Sequence, residues 1–298
     1  MITVVERTHK VKGLKEPKDI LALADMHLTL CDDRENEYGK ELAKERSQWF
    51  HNAYACTEIV KEYIKQTKPD YVVACGDMID FPSHANLEYF IDFMNNHCPP
   101  YMYVLGNHDW NYPRNYNNIY NWRGNVPKFA PLLKNGDPCV QVLDIGDLLI
   151  VGIDTNTDHV FRDTVDRLKE IGKLGKPMIL VMHVALWTPG TADIIYNASP
   201  ESLLLAVGCP EYERQRVGRC PSCLGDEVSD ELLKMINDPD FPVVAMLYGH
   251  NHFETMGDDF VAEDHFMEGR VQYGVHKSAP GGRETPTVFR LHLVPDEE

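Results

Sequence analysis

Residues 101–110 read YMYVLGNHDW, an apolar run that stops abruptly at Gly106, Asn107, His108 and Asp109. A short continuous apolar run rich in Tyr and Val is typical of a strand that is covered on both faces. A turn at its end does not require an amide, an imidazole and a carboxylate in succession. The question is therefore whether other strands of this chain end in the same way.

Seven other short apolar runs favour strands for the same reason. In chain order, the eight predicted strands are 20–24, 71–75, 101–105, 148–153, 178–182, 243–248, 271–275 and 287–293. Helix-like stretches fall between them, at 41–66, 86–96, 160–171 and 229–236. Ser229 is the predicted N-cap of the last helix. Strands that alternate with helices indicate an α/β fold.

The bulk composition is that of an ordinary globular protein, with 298 residues of which 43% are hydrophobic and 25% charged. We predict a single domain over residues 1–298, with long irregular insertions at about 111–137 and 186–226. The formal net charge of −17 argues against broad nucleic-acid binding, because an acidic surface repels polyanions. Cations bound in a cleft would still admit a small anion.

The sequence predicts a cytoplasmic protein. Its first residues, MITVVERTHK, lack the apolar segment of a signal peptide, and no apolar run is long enough to span a membrane. The eight cysteines are scattered, and Cys75 and Cys139 lie within apolar runs. That distribution favours reduced thiols over a disulfide framework.

Polar side chains end five of the first six predicted strands. Besides the 101–105 run, four strands end in Asp25-Met26-His27, in Gly76-Asp77-Met78-Ile79-Asp80, in His183 and in Gly249-His250-Asn251-His252. Each motif alone is common, but all five occur at strand ends. Because ligands of open α/β sheets bind at the carboxyl ends of strands, we expect these side chains to form one site.

The side chains of this expected site suggest a pair of metal ions. The seven candidate ligands are four His, two Asp and one Asn: Asp25, His27, Asp77, Asn107, His183, His250 and His252. This mixture suits Mn, Fe, Zn or Co better than Ca or Mg, which prefer oxygen ligands throughout. Seven ligands suit two ions if one carboxylate bridges them. Two ions that share a bridging hydroxide can promote in-line attack on phosphorus, so the site predicts a phosphate-ester hydrolase.

The five motifs, in this order across residues 25–252, resemble those of the calcineurin-like metallophosphoesterases. The resemblance implies a four-layer α/β/β/α sandwich of two mixed β-sheets flanked by helices. It also implies two ligand sets that share Asp77 as the bridge. One divalent ion would be held by Asp25, His27, Asp77 and His252, and the other by Asp77, Asn107, His183 and His250.

The resemblance further implies catalytic roles for three residues that bind no metal. His108 would face the phosphate, as general acid or as a stabiliser of charge on the leaving group, and Asp109 would orient it. Asp80 would fix a ligand histidine. Purple acid phosphatases carry a ligand tyrosine where this sequence has Asp80, which argues against a ferric–tyrosinate centre.

Substrate contacts are expected from residues outside the motifs. The insertion at 186–226, which contains Trp187, would be either a cap over the site or a surface insertion packed on itself. His84 could face the cleft, and Asn156 and Arg283 could contact substrate, with a plain turn as the alternative for these last two. In the same insertion, Cys209, Cys220 and Cys223 would be either zinc ligands or thiols without a metal.

The sequence therefore predicts a metal-dependent hydrolase of a small phosphorylated substrate. Monoester and diester both remain open, with a slight preference for a diester because neither the protein phosphatases nor the purple enzymes are closely resembled. One alternative is a nuclease of the same family, which the acidic charge argues against. The other is a non-catalytic scaffold for protein partners, which the intact His108 argues against.

Overall fold

The computed structural model of the chain describes residues 1–112, 119–155, 159–198, 204–205, 226–253, 260–279 and 285–296. Several predicted features lie outside the described residues. They are Asn156, Arg283, the three cysteines Cys209, Cys220 and Cys223, and most of the insertion at 186–226.

Two mixed β-sheets form the centre of the described structure. Their strands are β1 (Thr3–Lys12), β2 (Lys18–Leu23), β3 (Tyr71–Ala74), β4 (Tyr101–Tyr103), β5 (Val140–Asp144), β6 (Leu149–Ile153), β7 (Met178–Val181), β8 (Val243–Tyr248), β9 (Ala262–Met267), β10 (Arg270–Gly274) and β11 (Thr287–Asp296). The first sheet has the order β1-β11-β2-β3-β4, with β11 antiparallel to β2 and the other pairs parallel. The second has the order β5-β6-β7-β8-β10-β9, with β5 and β9 antiparallel to their neighbours.

Helices cover the outer faces of both sheets. The described helices are α1 (Glu37–Arg46), α2 (Ala53–Thr67), α3 (His84–Asp92) with a π-helical turn (Phe93–His97), α4 (Asn107–Trp110), α5 (Ile119–Asn125) with a 3₁₀ turn (Val126–Phe129), α6 (Arg162–Gly172), α7 (Pro189–Ala198) and α8 (Glu227–Ile236). Helices α2 and α3 pack on the first sheet, whereas α6, α7 and α8 pack on the second.

Alternate residues of each strand enter different hydrophobic cores, as the pleat of a strand requires. In β3, Val73 lies between the two sheets while Val72 faces the helices of the first sheet. In β7, Ile179 lies between the sheets while Leu180 faces the helices of the second. The predicted architecture of two mixed sheets between helical layers is confirmed.

Three details differ from the sequence-based predictions. The helix expected over 41–66 is divided by a turn at residues 47–52, in which the N–H groups of Trp49 and Phe50 both donate to the carbonyl of Arg46. The turn allows Phe50 to be buried in the core of the first sheet. Helix α8 begins one turn earlier than expected, because Asp226, not Ser229, is its N-cap and accepts from the Ser229 N–H.

The stretch expected to be an irregular insertion at 111–137 contains helix α5 and a 3₁₀ turn in its described part. Its side chains Val126, Phe129 and Leu132 are buried in the core of the first sheet. This stretch therefore contributes to the packed domain. Among the described residues, no helix combines the length and the apolar character that crossing a membrane requires.

Candidate metal centre

The five motifs lie together where strands of both sheets end. Strands β2, β3 and β4 run parallel in the first sheet, and β7 and β8 run parallel in the second. Hydrogen bonds join the loops that follow them: Asp25 N–H donates to Gly76 O at 3.0 Å, and Gly249 N–H donates to His183 O at 3.1 Å. The His250 N–H donates to the Asp25 carboxylate at 3.0 Å, which links the two sheets.

The backbone of these loops is strained at the candidate ligands. Six described residues other than Gly have φ in the left-handed region, and Lys68, which ends α2, is an ordinary case of this conformation. The other five are Asp25, His27, Asp77, His250 and His252, with φ between 41° and 71°. Such backbone costs about 1–3 kcal/mol per residue and concentrates at functional sites. The strain therefore supports a functional role for this group of residues.

The glycines of the motifs allow the loops to approach each other closely. A Cβ added to Gly106 would lie 2.1 Å from Oδ1 of Asp77, and one added to Gly249 would lie 2.9 Å from the carbonyl oxygen of Cys75. Gly76 has φ +88°, and a Cβ there would lie 2.7 Å from Nδ1 of His183. Only glycine fits at such approaches without a shift of the backbone.

One group of potential ligands, called here the first cluster, comprises Asp25, His27 and His252, whose ligand atoms lie within 4.8 Å of one another. The Nε2 atoms of His27 and His252 are 3.0 Å apart. An oxygen of Asp25 lies 3.3 Å from Nε2 of His252. The three side chains therefore aim at one point, as the ligands of a cation do.

The second cluster comprises Asp77, His183 and His250, again within 4.8 Å of one another. Nε2 of His183 lies 3.2 Å from Oδ2 of Asp77, 3.1 Å from Oδ1 of Asn107 and 3.3 Å from Nδ1 of His250. The same oxygen of Asp77 lies 3.9 Å from Nε2 of His27, in the first cluster. Asp77 thus lies between the two clusters.

The protonation states of these side chains suit cation binding. Burial lowers the pKa of His27 to about 4, although Asp80 opposes the shift, and burial together with the charge of His183 lowers the pKa of His250 to about 3. Burial alone would raise the pKa of Asp77, but His183 and His108 outweigh it and hold this pKa well below its usual value. Neutral imidazoles beside ionised carboxylates are the forms that bind metal.

His183 differs from the other two imidazoles in its electrostatics. Burial alone would lower its pKa, but the charge of Asp77 outweighs burial and raises the pKa to about 9. A cation that binds the second cluster would displace this proton. The donor set as a whole, imidazole with carboxylate and amide oxygen, fits a pair of ions of the Mn, Fe, Zn or Co type.

Asp80 is the centre of a third group, with His27 and His108. Its Oδ1 lies 3.1 Å from Nδ1 of His27 and 3.1 Å from Nδ1 of His108. The guanidinium of Arg46, at the end of α1, donates to both Asp80 oxygens at 2.6 and 2.8 Å. Because this guanidinium already neutralises the carboxylate, we interpret the group as a support for the two histidines.

Asp109 has a different position from the one expected. Its carboxylate accepts from the backbone N–H groups of Asp77, Ile79 and Gly106 at 2.9, 3.0 and 2.7 Å. The prediction that Asp109 orients His108 differs from this geometry, in which Asp80 lies beside the imidazole. The reason is local: Asp109 is in the first turn of α4, and its side chain turns back to cap the backbone of two loops.

Two of the predicted substrate contacts are described, and neither belongs to the clusters. His84 opens α3 with its ring exposed, and its Nδ1 lies 2.6 Å from an oxygen of the buried Glu35. Trp187 packs against the core outside the second sheet. Asn156 and Arg283, which lie outside the described residues, stay predictions.

Three residues beside the clusters were missed by the sequence reasoning. Phe50 stacks on His27, with ring centroids 4.5 Å apart and an angle of 7° between the planes. The guanidinium carbon of Arg46 lies 4.9 Å and Nζ of Lys277 4.5 Å from the Phe50 ring centroid. Arg46 and Phe50 were hidden in an apparently continuous helix. Lys277 directly follows a predicted strand, so the strand-end rule could have found it.

The chain belongs to the calcineurin-like phosphoesterase family, whose model matches residues 18–254. Membership in this family makes it a metal-dependent phosphoesterase, and the two clusters supply the His and Asp side chains that a dinuclear centre needs. No curated protein matches the sequence.

Solved structures show the same fold at low sequence identity. A dimetal phosphatase from Danio rerio has 10% identity over 88% of both chains, with a TM-score of 0.53. A purple acid phosphatase from yellow lupin, Lupinus luteus, has 14% identity over 81% of this chain and 39% of its own, with a TM-score of 0.42. A calcineurin-like phosphoesterase from Bacillus subtilis has 12% identity over 89% and 82%, with a TM-score of 0.42.

Proposed function

We propose that this phosphoesterase hydrolyses a small phosphate ester at the strand-end site, with a diester preferred over a monoester. The observation that carries the proposal is the position of Asp77 between two clusters of potential ligands. One of its oxygens lies 3.2 Å from Nε2 of His183 and 3.9 Å from Nε2 of His27. A carboxylate shared in this way suits a two-metal site.

Two divalent ions would be held by overlapping sets of side chains. Asp25, His27, Asp77 and His252 would hold one, and Asp77, Asn107, His183 and His250 would hold the other. Bound ions of the Mn, Fe, Zn or Co type would supply Lewis acidity toward a phosphoryl oxygen and would activate water for in-line displacement.

His108 would act on the leaving group. Its Nδ1 faces Asp80 at 3.1 Å, and its ring lies edge-on to His27 with centroids 4.8 Å apart. The other ring nitrogen, Nε2, is thereby left to face a substrate. We assign to His108 proton donation to the leaving oxygen, or stabilisation of its charge, with Asp80 as the residue that orients it.

The proposal includes a cytoplasmic location. The five cysteines in the described part of the chain, Cys31, Cys56, Cys75, Cys98 and Cys139, are free thiols. Free thiols suit a reducing compartment. The formal net charge of −17 supports a small substrate over a nucleic acid.

The first test compares two model substrates. Purified protein, stripped of metal and reloaded with Mn²⁺, should hydrolyse bis-p-nitrophenyl phosphate faster than p-nitrophenyl phosphate. The His250→Ala variant should lose this activity. Hydrolysis of the monoester alone would contradict the diester preference. Hydrolysis of neither ester with two ions bound per chain would contradict the proposal and favour a scaffold, and cleavage of linear DNA would favour a nuclease.

The second test addresses His108. The His108→Ala variant should lose about 100- to 10,000-fold in turnover, the usual contribution of a general acid, and should keep both ions. His265→Ala is the matched control, because His265 is exposed and contacts Glu263 on β9. Loss of bound metal from the His108 variant would contradict the role assigned to it.

A further inference from the structure

The turn between α1 and α2 forms a wall beside the first cluster, and its two aromatic residues face opposite ways. Phe50 is buried and stacks on His27. Trp49, its neighbour in the chain, is 61% exposed. Both N–H groups are tied to the carbonyl of Arg46, which fixes the conformation of the turn.

Arg46 connects Trp49 to the site. Its guanidinium carbon lies 5.1 Å from the centroid of the Trp49 ring, while its nitrogens donate to Asp80. Asp80 in turn lies 3.1 Å from both His27 and His108. One face of the indole is therefore covered by a cation that belongs to the site, and the high exposure of Trp49 leaves the other face open.

The exposure of Trp49 stands out among the described residues. The other large hydrophobic side chains that are strongly exposed are Met1, Tyr54 and Leu174. Met1 begins the chain, Tyr54 packs against Tyr89, and Leu174 follows α6 on the second sheet. Only Trp49 of these four contacts a residue that supports the clusters. An exposed aromatic at such a place is typical of a ligand contact.

The chemistry of the wall indicates what it would recognise. The charge of Arg46 is satisfied by Asp80, so Trp49 offers a neutral aromatic face beside the phosphate position. Such a face binds planar rings by stacking, whatever their hydrogen-bonding edges. A sugar or an alkyl group would gain much less from it.

We propose that the open face of Trp49 stacks against a nucleobase, which makes the substrate a phosphate ester of a nucleoside. The inference rests on the proposed function for the position of the phosphate. The α1–α2 turn then has two tasks: Phe50 and Arg46 support the first cluster, and Trp49 selects the leaving group.

The test measures binding and does not depend on turnover. Calorimetry on the Mn²⁺-loaded protein compares adenosine 5′-monophosphate with ribose 5-phosphate, which carries the same phosphate and sugar without the base. Wild type should bind the nucleotide roughly 5- to 100-fold more tightly, the range that stacking of one base supplies. Trp49→Ala should abolish the difference, and Trp49→Phe should retain part of it.

The control is Leu174→Ala, because Leu174 is 63% exposed and packs away from the clusters; it should leave both affinities unchanged. Equal affinities in wild type would overturn the proposal. Equal weakening of both ligands by Trp49→Ala would also overturn it, because Trp49 would then act only by holding Arg46. A base preference without hydrolysis of either nitrophenyl ester would contradict the proposed function alone, and hydrolysis without a base preference would contradict this inference alone.

Discussion

The two clusters contain the same types of side chain but are supported in different ways. In the second cluster the support is the main chain: Nδ1 of His183 donates to the carbonyl of Cys75 at 2.7 Å. In the first cluster the support is other side chains, since Asp80 faces Nδ1 of His27 and Phe50 stacks on the ring. Exposure differs as well, because the His183 side chain is 0% exposed and that of His252 is 34%.

This difference separates a fixed part of the site from an adjustable part. A ligand held by the backbone of a strand end keeps its position as long as the sheet is intact. A ligand held by Asp80, Arg46 and Phe50 depends on the α1–α2 turn, which also carries the exposed Trp49. The first cluster is therefore the one that can be tuned without damage to the fold, and four substitutions test this comparison.

The largest effect is expected from Gly106→Ala. The added Cβ would lie 2.1 Å from Oδ1 and 2.2 Å from the backbone N of Asp77, so the backbone must move. Because Asp77 lies between the clusters, metal binding should fail at both, and hydrolysis should fall by about 1,000-fold or more, as when a ligand is lost. Metal content by mass spectrometry and hydrolysis of bis-p-nitrophenyl phosphate measure this.

Gly124→Ala is the matched control for that variant. Gly124 lies in α5, and a Cβ there would meet nothing within 4 Å. Alanine is the better helix former, so the control should keep full activity and stability. If Gly106→Ala kept both ions and normal turnover, the close approach of the two loops would not matter for the site.

The next effect in size is expected from Arg46→Met. It leaves the buried carboxylate of Asp80 without its cation, which should lower the free energy of unfolding by about 2–4 kcal/mol. Turnover should fall because His27 and His108 both depend on Asp80. Thermal denaturation and Mn²⁺ titration together test this.

In that titration only the weaker of the two binding events should shift if the support is confined to the first cluster. Arg46→Met combined with Asp80→Asn should recover part of the lost stability, because no buried charge is then left unpaired. Equal loss of affinity at both clusters would contradict the distinction between side-chain and main-chain support.

A smaller effect is expected from Asp109→Asn. The amide has a single acceptor oxygen, whereas the carboxylate accepts from three backbone N–H groups of two loops. The free energy of unfolding should fall by about 1–3 kcal/mol, the cost of unsatisfied buried donors. Turnover at 25 °C should change less than in Asp80→Asn, and the reverse order would restore Asp109 as the residue that orients His108.

The smallest effect is expected from Phe50→Leu. Leucine keeps the turn buried but removes the ring that lies parallel to His27 at 4.5 Å. The Mn²⁺ affinity of the first cluster should fall by about 10-fold or less, the low end for residues that orient a ligand. The second cluster should be unaffected, and a larger loss there would contradict the comparison.

The strands that the sequence revealed differ from those it concealed. The three that it missed, β1, β5 and β9, all lie at edges of the sheets. An edge strand is covered less completely, so charged residues are tolerated in it, as in TVVERTHKVK of β1. Seven of the eight predicted strands are central, and the exception is β4.

The sequence by itself determined the central strands and the polar residues that follow them, because both are local patterns of the chain. The seven candidate ligands could therefore be named before the fold was known. Their support was decided by the tertiary structure. Arg46 meets Asp80 across 34 residues, and His27 lies beside Phe50 only because a turn divides the expected helix. Neither contact leaves a local pattern, since each depends on how separate elements pack against one another.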